Sequence, residues 1–309
     1  MLTDPRKFQD PFITAKGERR AGVALRALET LWFNTGTLCN LTCTTCYIES
    51  SPRNDRLAYL TLADVVAYLN EIARDGLPTR LIGFTGGEPF MNPAFIPILR
   101  ETLSRGFDVL VLTNAMKPMQ HQRDALLALR AAYGARLRLR VSLDHYTPAG
   151  HEAERGARSW TPTIEGLLWL VRNGFTVDVA SRLLTDETEP ELRRGFAGLF
   201  VQRGIAIDAQ DPVGLVVFPQ MDPACDVPEI TTACWGILHT SPDSVMCASA
   251  RMVVRRKDAT GPRVLACTLL PYDEAFDLGA TLAEARGAVQ LNHPYCASFC
   301  VLGGAACSR

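Results

Sequence analysis

The sequence predicts an α/β fold of six strand–helix units followed by a small cysteine-rich region. Between residues 31 and 218, short apolar runs typical of buried strands alternate with amphipathic stretches typical of helices, which indicates a parallel sheet. Beyond residue 218 this alternation stops, and seven of the ten cysteines follow. Because a complete barrel of this kind has eight units, six units predict a partial, TIM-like (β/α)6 barrel.

The predicted elements follow one another in regular order. The strands are residues 31–35, 81–84, 109–113, 137–143, 176–184 and 214–218. The helices are residues 62–73, 93–105, 121–132, 163–173 and 189–202. Gly106 and Gly174 stand just past two predicted helix ends, where glycine commonly terminates a helix. We divide the chain into an N-terminal extension (1–30), a barrel (31–220) and a C-terminal domain (221–309).

Composition and charge narrow the class of protein. The chain has 32 basic and 33 acidic residues, so its net charge of -1 gives no general attraction to nucleic acid. The run 136–140 alternates Arg with Leu, and we interpret it as a strand with a solvated basic face. Residues 1–20 contain no apolar segment of the length of a signal peptide or membrane span. We therefore expect a cytoplasmic protein without a membrane partner, in which ten cysteines favour metal binding over disulfides.

Three cysteines directly follow the first predicted strand. Cys39, Cys43 and Cys46 have the spacing C-x3-C-x2-C. Three thiolates would leave one iron of a [4Fe-4S] cube open to a small molecule. The alternative is a closed zinc site. It would need a distant fourth ligand, because the next Cys or His residues along the chain are His121 and His145.

A second motif follows the second strand. Residues 81–84 lead directly into Thr85, Gly86, Gly87, Glu88 and Pro89. Two glycines allow close approach of a ligand to the backbone, and a glutamate is an acceptor for an ammonium group. Taken alone, the motif is more typical of an ordinary strand-to-helix turn than of a ligand site.

Together, the two motifs resemble those of the radical S-adenosylmethionine (radical SAM) superfamily. In that family a [4Fe-4S] cluster and S-adenosylmethionine generate a 5'-deoxyadenosyl radical, which removes a hydrogen atom from the substrate. The resemblance implies that Cys39, Cys43 and Cys46 hold the cluster and that residues 86–89 bind the methionine amino group. It also implies an external reductant such as flavodoxin or ferredoxin. The family usually has an aromatic residue where this chain has Thr45.

Polar residues at later strand ends are further candidates for binding the cosubstrate. By the same resemblance, Ser142 and Arg155 hold the carboxylate of S-adenosylmethionine. Asn114, Asp144 and Arg182 are weaker candidates for ribose or carboxylate contacts, since polar strand-end residues also satisfy local backbone groups. The candidate acids or bases His145 and His151 are interpreted by default as surface histidines.

The C-terminal cysteines form a second candidate centre. Cys247 and Cys267 bracket alternating residues around an Asp- and Gly-containing turn, which predicts a hairpin with both thiols at its open end. The region resembles the SPASM and twitch extensions of radical SAM enzymes, which bind two auxiliary [4Fe-4S] clusters or one. The short terminal pattern C-x3-C-x6-C favours one. We expect the ligands to be Cys247 and Cys267 with two of Cys296, Cys300 and Cys307, and Cys234 in reserve. Cys225 is not expected to be a ligand. A zinc site is the alternative for this region.

We therefore expect a radical SAM enzyme that acts on a peptide or a small molecule, with an auxiliary cluster that aids oxidation or substrate binding. Kinship with the SPASM branch favours a peptide. The roughly thirty residues before the first strand are too few for a separate leader-peptide-binding domain. The alternative is a non-catalytic iron–sulfur or zinc protein for electron transfer or scaffolding, but such a protein would not require the motif at residues 86–88. Methyl transfer ranks last.

Overall fold

A computed structural model describes residues 4–183, 187–219, 221–222 and 225–305. Its strands are β1 (Gly22–Val23), β2 (Thr30–Asn34), β3 (Leu81–Thr85), β4 (Asp108–Thr113), β5 (Leu137–Ser142), β6 (Thr176–Arg182), β7 (Leu215–Phe218), β8 (Ala250–Val254), β9 (Arg263–Leu265), β10 (Asp277–Gly279) and β11 (Val289–Gln290). Its α-helices are α1 (Leu62–Arg74), α2 (Phe95–Ser104), α3 (Lys117–Gln120), α4 (Arg123–Tyr133), α5 (Pro148–Arg155), α6 (Trp160–Arg172), α7 (Glu189–Arg203) and α8 (Cys234–Ile237).

The six predicted barrel strands are neighbours in one sheet. They pair in parallel in the order β2-β3-β4-β5-β6-β7, with Thr30 opposite Leu81 at the first pairing. Within the described part of the chain the sheet remains open, with β7 at one edge and β10 at the other. The prediction of a partial barrel is confirmed. The last residue of the predicted strand 176–184 lies outside the described residues.

The five predicted helices are present as α1, α2, α4, α6 and α7, and the structure adds α5 and the short helices α3 and α8. Helix α1 begins at a capping box, in which the Thr61 side chain accepts from the Asp64 N–H and the Asp64 carboxylate accepts from the Thr61 N–H. Helix α5 has no counterpart among the predicted helices. Its sequence is polar and contains Gly150, so it lacks a strong apolar period, but Thr147 caps it by accepting from the Gly150 N–H at 3.2 Å.

Two apolar cores lie on opposite faces of the sheet. Leu31 and Phe33 of β2 pack into the core beneath the helices. Trp32 points the other way, into a core shared with the C-terminal region. This alternation is the two-residue period of a strand. At Gly83 on β3, an added Cβ would collide with the Trp32 ring, so the glycine makes room for that side chain.

The cysteine-rich region continues the barrel sheet. The predicted hairpin is confirmed, because β8 and β9 pair antiparallel with Met252 opposite Leu265. Strand β8 also pairs in parallel with β2, with Thr30 opposite Ala250. The N-terminal segment is tied to the same region by β1, which pairs with β11, and by a buried ion pair of Arg20 and Glu229.

The interpretation of run 136–140 as a solvated basic strand face is wrong for Arg140. Its side chain is fully buried and its Nη2 lies 3.0 Å from Asp178 Oδ2. Arg138 remains partly exposed. A guanidinium can be buried when a carboxylate neutralises it, and the pattern of charges along one strand does not show the partner on the next.

Over the described ranges, we find no helix that combines the length and the apolar character needed to cross a membrane.

Candidate active site

The carboxyl ends of the parallel strands open into one cavity with about 1140 Å³ of empty space. Parallel strands place the residues that follow them at a common edge, which brings sequence-distant side chains together. The predicted site residues that line the cavity are Cys39, Cys43, Cys46, Gly86, Gly87, Asn114, Ser142, Asp144, Arg155 and Arg182. Glu88 and Pro89 are buried nearby and do not line it.

The three cysteines lie on a loop that folds back on itself. The Cys39 N–H donates to Ser51 O at 3.1 Å, and the Cys46 N–H donates to Cys43 O at 3.3 Å. Burial raises the pKa of Cys39 to about 12, and the negative charges of Glu88, Cys43 and Cys46 add to this rise. The thiols are therefore close enough to oppose one another's ionisation. Several of these thiols can be ionised together only when a cationic centre offsets their negative charges.

The glycine motif is fastened to the start of the cysteine loop. Gly87 N donates to Gly36 O at 2.8 Å, and Glu88 N donates to Leu38 O at 3.2 Å. A Cβ on Gly86, where φ is +136°, would lie 2.5 Å from Gly36 O, and one on Gly87 would collide with Leu38 O. Both glycines thus allow the two motifs to pack backbone against backbone.

The Glu88 side chain serves the neighbouring strand end. Its carboxylate accepts from the Thr113 hydroxyl and the Asn114 N–H, both at 2.8 Å, and from the Phe90 N–H at 3.3 Å. Burial raises the pKa of Glu88 to about 7, although these hydrogen bonds oppose the rise. The expected contact of this motif with an ammonium group stays a prediction, and the described carboxylate is already held by three donors.

A charged group forms the polar wall of the cavity. Arg155 Nε donates to Asp144 Oδ2 at 2.7 Å, and Arg182 Nε lies 3.8 Å from Asp144 Oδ1. Burial disfavours the Asp144 carboxylate, but the two guanidinium groups outweigh it and hold the pKa of Asp144 below its ordinary value. Asp144 thus faces two guanidinium groups at this wall. Ser142 lies beside them in the cavity lining.

Helix α5 secures the cysteine loop from outside. Thr44 N donates to Glu154 O at 2.8 Å, and the Thr45 hydroxyl donates to the Glu154 carboxylate at 3.0 Å. Arg182 Nη1 donates to both Thr45 O and Thr45 Oγ1, at 2.6 and 2.7 Å. Thr45, which departs from the family pattern, therefore joins the loop to the charged wall. The sequence analysis did not identify Glu154, because a lone acidic residue carries no signal for this contact.

The interpretation of His145 and His151 as surface histidines is wrong. Both are buried. His145 Nε2 lies 3.0 Å from Glu187 Oε2. Burial, together with the charge of Arg155, lowers the pKa of His151 to about 4. Within the described ranges neither histidine lines the cavity.

Part of the cavity lining is apolar and includes residues of the C-terminal region. The Phe218 and Phe299 rings stack with centroids 5.4 Å apart. Leu269, two residues after Cys267, also lines the cavity, and Phe299 directly precedes Cys300. The sequence analysis missed these residues because an apolar side chain at a ligand site resembles one in a core.

The structure gathers several C-terminal cysteines. Cys247 and Cys296 are buried, and burial raises the pKa of Cys296 well above its ordinary value, with added contributions from the charges of Cys267 and Cys247. Cys300 lies on the same π-helical segment, Cys296–Val301. Cys234 Sγ accepts from Thr231 N at 3.3 Å. Cys307 lies outside the described residues, and the exposed Cys225 donates to Asp222 Oδ2 at 3.5 Å.

The donor chemistry of both cysteine groups fits an iron–sulfur cluster. Among the residues that the structure describes, no three or more Cys, His, Asp or Glu side chains are arranged to hold a single metal ion. A [4Fe-4S] cube distributes its thiolates over separate irons, so its ligands need not converge on one point. In both groups, buried or partly buried thiols act on one another electrostatically, and those of the first group line the cavity. The fit therefore rests on the type of donor.

The chain is similar to known proteins over its barrel region. The family model described as "Radical SAM superfamily" matches residues 33–193, more than half of the chain. The antilisterial bacteriocin subtilosin biosynthesis protein AlbA of Bacillus subtilis is 30% identical over 169 residues, 54% of this chain and 35% of AlbA. GTP 3',8-cyclase of Chlorobaculum tepidum is 32% identical over 91 residues, 29% of this chain and 26% of that protein. The chain thus spans well under half the length of these curated relatives.

Solved structures share its fold. Streptococcus suis SuiB bound to S-adenosylmethionine superposes with a TM-score of 0.59 at 12% identity, over 82% of this chain and 64% of SuiB. The structure of anSMEcpe with bound AdoMet also gives a TM-score of 0.59, at 13% identity, over 83% of this chain and 79% of the other. At such low identity the likeness concerns the fold alone.

Proposed function

Because this chain belongs to the radical SAM superfamily, we propose that it cleaves S-adenosylmethionine at a [4Fe-4S] cluster held by Cys39, Cys43 and Cys46. When bound, the cluster supplies the electron that releases a 5'-deoxyadenosyl radical for removal of a hydrogen atom from the substrate. The observation that carries the proposal is the backbone pairing of the cysteine loop with the Gly86–Gly87 turn beside one cavity.

The polar wall suits the charged end of S-adenosylmethionine. Arg155 and Arg182 together exceed the charge of Asp144, which favours a bound carboxylate. Ser142 adds a hydroxyl donor at the same wall. The Gly86–Pro89 backbone is our candidate for the amino group and Asn114 for the ribose. The apolar part of the lining keeps water from the space in which a reactive radical would form.

We also propose one auxiliary [4Fe-4S] cluster in the C-terminal region. Its ligands are Cys247 and Cys267 with two of Cys296, Cys300 and Cys307, and Cys234 is the reserve. The mutual electrostatic effect of Cys247, Cys267 and Cys296 supports this choice. Leu269 and Phe299 connect these cysteines with the cavity, which suits a role in substrate binding or in oxidation of a product.

A peptide is the substrate class we favour. AlbA is named for bacteriocin biosynthesis, and SuiB has been solved with its precursor peptide SuiA. The apolar wall around Phe218 and Phe299 suits an uncharged side chain of such a peptide. A low-potential electron-transfer protein such as flavodoxin or ferredoxin would supply the electron in a reducing cytoplasm.

Anaerobic reconstitution with iron and sulfide tests the proposal. The chain is incubated with S-adenosylmethionine and dithionite, and 5'-deoxyadenosine is quantified by chromatography. We expect product from the parent and from Cys225→Ala, whose thiol is exposed and lies outside the cavity lining. We expect only the no-enzyme background from Cys43→Ala. Absence of product from the well-reconstituted parent would favour the non-catalytic alternative.

A further inference from the structure

Arg251 is a buried cation whose hydrogen bonds to the described residues all go to backbone oxygens. It lies on β8, with 1% of its surface exposed. Its Nε donates to Ala285 O at 2.9 Å, and its Nη2 donates to Gly287 O at 3.0 Å. Its Nη1 donates to Cys247 O at 2.6 Å and to Ala250 O at 2.8 Å. These contacts satisfy the donors, but carbonyl groups do not neutralise the charge.

The other buried arginines each have a carboxylate partner. Arg20 pairs with Glu229, Arg140 with Asp178 and Arg155 with Asp144.

Over the part of the chain that the structure describes, Arg251 forms no ion pair with a carboxylate. Burial of a charge without a counter-charge is costly, so a buried arginine of this kind indicates a missing anion.

The side chains that would favour the charged form of Arg251 are cysteines in their thiolate form. Ionised Cys247 and Cys267 are the side chains whose charge favours the guanidinium. The guanidinium also reaches the backbone of Cys247 directly. Arg20, whose charge acts on Cys296, is already neutralised by Glu229. Arg251 is therefore the uncompensated cation beside this cysteine group.

We propose that Arg251 is the fixed counter-charge of an anionic iron–sulfur cluster bound by Cys247 and Cys267, and that it raises the reduction potential of that cluster. The inference rests on the auxiliary cluster of the proposed function. Net charge and hydrogen bonding around a cluster set its potential. Because reduction adds one negative charge, a nearby cation stabilises the reduced form more than the oxidised form.

Redox titration of the C-terminal cluster alone tests this inference. The background is the full chain with Cys39, Cys43 and Cys46 replaced by alanine, which we expect to hold about four irons per chain after reconstitution. In this background, Arg251→Met removes the charge and Arg251→Lys keeps it. We expect a more negative midpoint potential for Arg251→Met, and a potential near that of the background for Arg251→Lys.

Arg140→Met is the matched control. It also removes a fully buried arginine from a barrel strand, but that arginine is neutralised by Asp178. We expect it to lower the melting temperature without moving the potential.

An unchanged potential in Arg251→Met with full iron content would overturn the inference. Iron loss in Arg251→Met with retention in Arg251→Lys supports a counter-charge, whereas equal loss in both contradicts it. If the background chain takes up no iron, the C-terminal region holds no cluster, and the inference is wrong. Cleavage of S-adenosylmethionine by the parent chain would remain a separate result.

Discussion

At the scale of single residues, Glu88 shows how the fold sets the charge of a buried group. Its carboxyl lies in the core behind the cavity, where it accepts from two donors at the end of β4 and from the N–H of Phe90 in its own turn. Burial still dominates and raises the pKa of Glu88 to about 7. The ionised form is therefore less favourable in the folded chain than in the unfolded chain.

This shift predicts a pH-dependent stability. Below pH 4.5 Glu88 is protonated in both states, and as the pH rises towards 7 the unfolded chain loses this proton first, so its contribution to stability falls. Between pH 5 and pH 8 we expect the parent to lose roughly 2 to 3 kcal/mol more unfolding free energy than Glu88→Gln. Denaturant unfolding of both cluster-free chains measures this. An equal pH dependence of the two chains would show that Glu88 titrates normally.

Residues with distinctive chemistry could be predicted from the sequence, whereas their partners could not. The spacing of Cys39, Cys43 and Cys46 indicates a metal site wherever it occurs in a sequence. The burial of Arg140 depends on Asp178, which lies on the next strand. The sequence motif identified Arg155, but its pairing with Asp144 became visible only when α5 was placed beside β5.

At the scale of elements, the turn after β3 positions the cysteine loop. Gly87 is packed against the backbone of Leu38, and Glu88 N donates to that residue. The sequence motif was interpreted as a place where a ligand approaches the backbone. In the structure, the neighbour that excludes a side chain is the protein itself.

Replacement of Gly87 by alanine should separate these two backbones. A Cβ at this position collides with Leu38 O, so we expect a loss of about 1–3 kcal/mol of stability. We also expect less iron to be taken up by the three-cysteine loop.

Gly198→Ala is the control, because a Cβ at that position meets no atom within 4 Å. The change replaces a glycine within helix α7 by alanine, which should raise the unfolding free energy by up to about 1 kcal/mol. Unfolding curves and iron analysis of both variants decide the matter. Full iron uptake by Gly87→Ala would show that the contact is not needed.

Elements with a strong period were predictable, and weakly periodic ones were not. Strands β2, β3, β4 and β7 contain short apolar runs, which the sequence displays directly. Helix α5 has few apolar residues, so its role in holding Thr44 and Thr45 could not be seen.

At the scale of the whole molecule, the C-terminal region is part of the barrel sheet. Strand β8 lies beside β2, although more than two hundred residues separate them in sequence. The hairpin β8–β9 follows from local alternation and a turn, and was predicted. The pairing with β2 is non-local, and a chain carries no local signal for it. This pairing makes the C-terminal hairpin part of the barrel sheet, and Leu269 and Phe299 of the C-terminal region line the same cavity as Cys39, Cys43 and Cys46.

We infer that S-adenosylmethionine binds at the cluster of Cys39, Cys43 and Cys46, whereas the proposed C-terminal cluster lies apart from it. Electron paramagnetic resonance of the dithionite-reduced protein, recorded with and without S-adenosylmethionine, tests this most directly. We predict a changed signal in the parent and in Cys247→Ala/Cys267→Ala. We predict no change when Cys39, Cys43 and Cys46 are all replaced by alanine. If S-adenosylmethionine still changes the signal of this last variant, it binds at another cluster, and the inference is wrong.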